Sequence, residues 1–151
     1  IGYGRGLEQT KLLASVMTLD LDGNRVPAFP AAYYANTAYV SGDDALAAAR
    51  RLAVDTGAIV VISGETDYIT NGEDVFTVEG GHPIMTAVTG MGCTSTALVG
   101  AFAAVEPDPM VAATAAMAVM SLAGERATEK ARGNGSMQVQ FLDELYNLTT
   151  L

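Results

Sequence analysis

Val88-Thr89-Gly90-Met91-Gly92-Cys93-Thr94-Ser95-Thr96 is the stretch on which the fold turns. Ile84 to Val88 leads into the loop, two glycines allow a tight turn, and Thr94 to Val105 continues in residues that favour a helix. With a strand and a hairpin ahead of the loop and three helices from it onward, the order argues for an α/β layered domain with helices packed on a sheet. The helix start offers uncovered N–H groups and the positive end of a helix dipole, which suits an anion such as a phosphoryl group. The chain's single cysteine, Cys93, falls at that start. A lone cysteine is ordinarily a small buried residue; the glycine loop makes this one a candidate site residue.

Upstream, Ser41 or Asp43 can cap a helix in which Ala45, Leu46, Ala49, Leu52 and Ala53 share a face, and Gly57 ends it. Ala58 to Ile62 is apolar on both faces, which predicts a central strand of a helix-covered sheet. Tyr68 to Val78 reads as a hairpin turning on the pair Asn71-Gly72. Gly80-Gly81 leads into His82-Pro83, where His82 is read as structural. Downstream, Asp108 caps and Pro109 opens a long helix from Met110 to about Ala131, with Met110, Met117 and Met120 filling core. Its Glu125, Arg126, Glu129 and Lys130 are spaced for local ion pairs on a solvated face. Gly133 to Ser136 is expected to turn into a last helix, Met137 to Leu148, with Val139, Leu142, Leu145 and Tyr146 as its apolar face. Residues 1–41 read as an unassigned leader, with one short helix from Leu7 to Met17 and a turn at Asp22-Gly23-Asn24.

The totals narrow the function. The chain has 151 residues, half of them hydrophobic, which suffices for a core without disulfide or structural metal. A formal charge of −9, with no cluster of Lys or Arg, argues against nucleic-acid backbone or anionic lipid as partner. One cysteine and one histidine exclude a Cys/His zinc site. The longest apolar stretch, Met110 to Ala123, is too short to span a bilayer, and a cytoplasmic location is expected. Glu65 and Asp67 follow a strand end, where α/β proteins place ligand-facing groups, and are candidate metal or substrate contacts.

Four segments together resemble the hydroxyethylthiazole kinase family of the ribokinase-like superfamily. They are Ala58-Ile59-Val60-Val61-Ile62-Ser63-Gly64-Glu65-Thr66-Asp67-Tyr68, Gly80-Gly81-His82-Pro83-Ile84-Met85-Thr86, Val88-Thr89-Gly90-Met91-Gly92-Cys93 and Arg132-Gly133-Asn134-Gly135-Ser136. The resemblance runs from about Gly42 to Leu148 and has no counterpart for the family's amino-terminal half, so residues 42–151 are expected to be the carboxy-terminal part of a ribokinase-like kinase domain, in half-length form. It implies transfer of the γ-phosphate of ATP, with Mg²⁺, to the hydroxyl of 4-methyl-5-(2-hydroxyethyl)thiazole, a step in thiamine biosynthesis or salvage. It also implies that the backbone of Gly90, Met91 and Gly92 forms the anion hole, that Cys93 stands at the catalytic-base position, that Gly90 meets the thiazole and that Ser63 meets the nucleotide. Met91 replaces the commoner Thr or Ala of that loop. A homo-oligomer is implied as well, a trimer in the family's pattern. Two other readings stay open: a catalytically silent nucleotide-binding or oligomerisation module, and another ribokinase-like activity of the hydroxymethylpyrimidine kinase or hydrate dehydratase type, against which the cysteine counts, since those enzymes carry Asp there.

Overall fold

The computed structural model describes residues 42–148. The expected helix from Leu7 to Met17, the turn at Asp22-Gly23-Asn24 and the Ser41 cap lie outside the described residues. The order is helix α1 (Gly42–Thr56), strands β1 (Val60–Ile62), β2 (Thr66–Thr70) and β3 (Val75–Glu79), a short 3-10 helix (Pro83–Ala87), then helices α2 (Met91–Ala103), α3 (Pro109–Lys130) and α4 (Asn134–Asn147).

The three strands form an antiparallel meander in the order β1-β2-β3, with Val61 opposite Ile69 and Ile69 opposite Phe76. Side chains alternate between the two faces of such a sheet. Val60 and Ile62 pack against Ala45, Ala49 and Ala53 of α1. Ile59, Val61, Ile69 and Val78 pack on the other side against Met110, Ala113 and Met117 of α3. α2 and α4 then pack against α3, and a third cluster of Val88, Met120, Ala123, Ala127, Met137 and Phe141 joins these helices to the glycine loop's approach. The result is an α/β layered domain: helix, sheet, helices.

The local signals locate the start of α3 and the end of α1. The Asp108 carboxylate accepts from the N–H groups of Met110 and Val111 at the start of α3. Gly57 sits at φ +70° and its N–H closes on Ala53, where α1 stops. Met110, Met117 and Met120 are buried core residues, as expected.

Four expectations need correction. The strand expected in the centre is three residues long and lies at an edge of the described sheet, with β2 in the middle. Its two apolar faces reflect helices above and below, which says nothing about neighbours along the hydrogen-bonding direction. The hairpin turns through four residues, since Thr70 pairs with Val75. The Asn71 side chain accepts the N–H groups of Glu73 and Asp74 and widens the turn. α4 begins at Asn134, so the residues read as a turn are its first ones, and its expected apolar face is largely outside: Val139, Leu142 and Tyr146 are exposed, while Met137, Phe141 and Glu144 are buried. Finally, Lys130 pairs with Glu144 of α4 at 2.6 Å rather than within its own helix. Glu125 accepts the Gly81 N–H at 3.1 Å.

Candidate active site at the start of α2

The glycine loop and the cysteine come out where the sequence puts them. Gly90 is the N-cap of α2 and adopts the left-handed region at φ +93°, which a side chain would strain. Met91, Gly92 and Cys93 are the first three residues of the helix, three positions earlier than the sequence reading began it. Cys93 is exposed. Carbonyls in this turn are heavily used: Thr94 gives both its N–H and its hydroxyl to the Gly90 carbonyl, and Ser95 and Thr96 give their hydroxyls to that of Gly92.

The amide side of the same turn is different. No side chain caps the start of α2, whereas the start of α3 carries the Asp108 carboxylate. Space is open where a Cβ would project from Gly90 or Gly92. A helix that leaves its first N–H groups to solvent presents an unsatisfied positive end to any anion that approaches. Cys93 lies within that turn, so its sulfur belongs to the same small surface.

Ser63 follows β1 directly and is exposed, as is Glu65. Asp67 is different from its neighbour: it is 7% exposed, its carboxylate accepts the Gly64 N–H at 2.9 Å, and burial raises its pKa above the ordinary carboxylate value. Its carboxylate thus folds the turn that carries Ser63 and Glu65. Because Thr66 pairs with Glu79, this turn and the Gly80-Gly81 segment share one end of the sheet. Gly80 and Gly81 lie against Ser121 and Glu125 of α3, and Val88 lies against Met120, Ala123 and Ala127. Both candidate segments are therefore grouped around the second half of α3. A depression bordered by Asp74, Phe76, Pro109 and Met110 lies at the other end, by the hairpin loop and the start of α3.

His82 caps the short helix before the loop, its Nδ1 accepting from Ile84 N–H at 3.2 Å. Among the described residues no group of three or more His, Cys, Asp or Glu side chains is arranged to hold a metal ion. No helix among them is long and apolar enough to cross a membrane.

Sequence reasoning gave no role to Asn134 or Met85. Asn134 Nδ2 donates to the Ala87 carbonyl at 3.1 Å, across 47 residues of sequence. Met85 lies over Gly124 of α3, so closely that an added Cβ would meet its Cε at 2.7 Å. The glycines around Asn134 and within α3 were the available signals, but neither says which distant segment approaches.

The hydroxyethylthiazole kinase family matches residues 36–150 of this chain. A hydroxyethylthiazole kinase of Granulibacter bethesdensis is 57% identical over 109 residues, covering 72% of this chain and 40% of that protein. One of Leptospira biflexa is 52% identical over 108 residues, with the same coverage. The structure of a hydroxyethylthiazole kinase protein from Pyrococcus horikoshii OT3 superposes with a TM-score of 0.68 at 35% identity, over 72% of this chain and 42% of that one. The chain thus spans about two fifths of the length of these relatives. The family match over most of the chain and the shared fold lead to one conclusion: this chain belongs to the hydroxyethylthiazole kinase family.

Proposed function

We propose that this chain supplies the phosphoryl-transfer end of a hydroxyethylthiazole kinase, moving the γ-phosphate of ATP to the hydroxyl of 4-methyl-5-(2-hydroxyethyl)thiazole. The observation that carries the reading is the uncapped start of α2, with Gly90 in the left-handed region and Cys93 exposed in the first turn. Phosphoryl transfer depends mainly on positioning and on charge stabilisation. The N–H groups of residues 91–93 would meet the transferred group, with Gly90 leaving room for the thiazole. Cys93 Sγ would stand beside the substrate hydroxyl and accept its proton. Ser63 would contact the nucleotide from the turn that Asp67 folds.

Mg²⁺ would neutralise phosphate charge when bound with ATP. The described residues do not by themselves assemble a metal site, and Glu65 is the exposed carboxylate beside the Ser63 turn. Asp67, already engaged by Gly64, is the weaker candidate ligand. Assembly as a homo-oligomer, a trimer by the family's pattern, is part of the same reading, supported by the exposed apolar stripe of α4. The rival reading is a silent nucleotide-binding or oligomerisation module.

Thiazole-dependent release of ADP from Mg·ATP tests the kinase reading, and nucleotide binding without it supports the module. Cys93→Ala should lower turnover by about 10²-fold, the low end for loss of an acid–base group, while ATP affinity holds. Cys93→Asp should keep or raise turnover and melt no earlier than wild type, because an exposed carboxylate in a first helical turn is stabilising. Full activity of Cys93→Ala would sink the assignment.

A further inference from the structure

The segment Arg132 to Ser136 has no part in the chemistry above, yet the start of α4 touches the approach to the glycine loop. Asn134 is exposed and is the first residue of α4, which has Gly133 as N-cap and no side-chain cap. Its side chain neither fills core nor caps its helix. Instead its Nδ2 donates to the carbonyl of Ala87, the last residue of the 3-10 helix and three residues ahead of Gly90. Val88, the next residue, is buried among Met120, Ala123, Ala127, Met137 and Phe141. The chain entering the loop is thus held at two successive residues, by a carbonyl and by a side chain.

The donor is itself well placed. Ser136 Oγ accepts the Arg132 N–H at 2.8 Å and donates to the Gly133 carbonyl at 3.1 Å, which fixes the turn from α3 to α4. Lys130 to Glu144 and the buried Met137 hold α4 against α3. None of the 13 residues of α2 is fully buried; the helix rests on α3 through the half-buried Met91, Leu98 and Val99, and the Ala87 contact adds a hold at its entry.

We propose that Asn134 is a positioning residue for the Gly90 to Cys93 loop: by holding the Ala87 carbonyl, its amide sets the direction in which the N–H groups of α2 meet an anion. This deepens the reading of that loop as the phosphoryl site and rests on it. The role requires a donor at position 134. It requires no charge.

Cys93 is the chain's single cysteine and is exposed, so its alkylation by iodoacetamide, followed by intact mass, reports on the loop without any turnover. Protection by Mg·ATP and amide hydrogen exchange across residues 88–96 are measured for wild type, Asn134→Leu and Asn134→Gln. Asn134→Leu removes the donor at similar size and adds no charge. It should raise the Mg·ATP concentration for half-protection by about five- to tenfold, the net worth of one hydrogen bond, and speed exchange of the hydrogen-bonded Val88 and Thr94 amides. Asn134→Gln, which keeps a donor, should restore both, and both variants should melt close to wild type. Protection and exchange unchanged in Asn134→Leu would overturn the proposal, as would equal loss in Asn134→Gln. If Mg·ATP fails to protect even wild type, the phosphoryl-site reading falls. Exchange then decides the tether alone: faster Val88 and Thr94 amides in Asn134→Leu only sustain it, and no change removes it.

Discussion

Substituting Gly124 by alanine sets two effects of known sign against each other. Gly124 is buried inside α3, where alanine is favoured over glycine by about 1 kcal/mol on helix propensity alone. An added Cβ, however, would overlap Met85 Sδ, reach Cε at 2.7 Å and stand 3.4 Å from Cγ. The first two contacts demand movement and the third does not. Met85 is flexible and can swing its sulfur away, but doing so gives up its Sδ contact with the His82 N–H at 3.4 Å and its packing on the core around Met120. Overpacking of this kind costs about 1–3 kcal/mol. The clash wins, and Gly124→Ala should be destabilising by about 1 kcal/mol, roughly 4 °C in Tm for a domain of this size. A double-mutant cycle with Met85→Ala isolates the contact. Once Met85 is trimmed, the new methyl enters space the sulfur left, so the pair should be less damaging than the sum by about 1–2 kcal/mol, within the range for residues in contact. Urea unfolding of the four proteins measures it. Additive effects, or a Gly124→Ala chain stabilised by the full propensity gain, would refute the reasoning.

Three further outcomes follow from other parts of the fold. Burial raises the Asp67 pKa above its ordinary 3.8, so the folded chain binds that proton more tightly than the unfolded one. The ionised group therefore costs stability above its folded pKa, and the cost fades as pH falls through that value toward 3.8. Asp67→Asn keeps an acceptor for Gly64 and cannot ionise, so its stability advantage over wild type should shrink on acidification; a pH-independent difference in urea midpoints would contradict this. Asp108→Ala removes the carboxylate that accepts from Met110 and Val111, and should cost about 1 kcal/mol, with Asp108→Asn close to neutral in the same melts. In sedimentation, wild type should run heavier than its 15.6 kDa, and Leu142→Glu on the exposed stripe of α4 should shift it toward monomer; a stable wild-type monomer would argue against self-association.

How far the site was legible follows from the range of each signal. Gly90, Gly92 and Cys93 could be read because a loop-to-helix junction is written in consecutive residues, and backbone geometry there depends on local φ/ψ preference. The role of Asp67 was half legible. Its position after a strand end marked it, but its burial and its bond to Gly64 depend on how the turn closes. Asn134 was quoted within a motif and left without a task, because a bond to Ala87 is a fact about two segments 47 residues apart.

By itself the sequence determined the class of fold, the end of α1, the start of α3 and the glycine loop. Caps such as Asp108, Pro109 and Gly57 act within a turn of the residues they serve, so their chemistry is complete in a short window. Tertiary structure decided everything that depends on a partner. It set β1 at the edge of the described sheet, because two-sided burial comes from α1 and α3 and carries no information about strand neighbours. It also chose which face of α4 turns inward. That helix carries apolar residues over more than half of its circumference, at positions 137, 139, 141, 142, 145 and 146, too broad an arc for the pattern alone to select the buried face. Met137 and Phe141 are buried because they meet the cluster on α3, and Glu144 can join them because Lys130 stands 2.6 Å away to pair with it. A buried carboxylate is tolerable only with such a partner, and the partner sits on another helix.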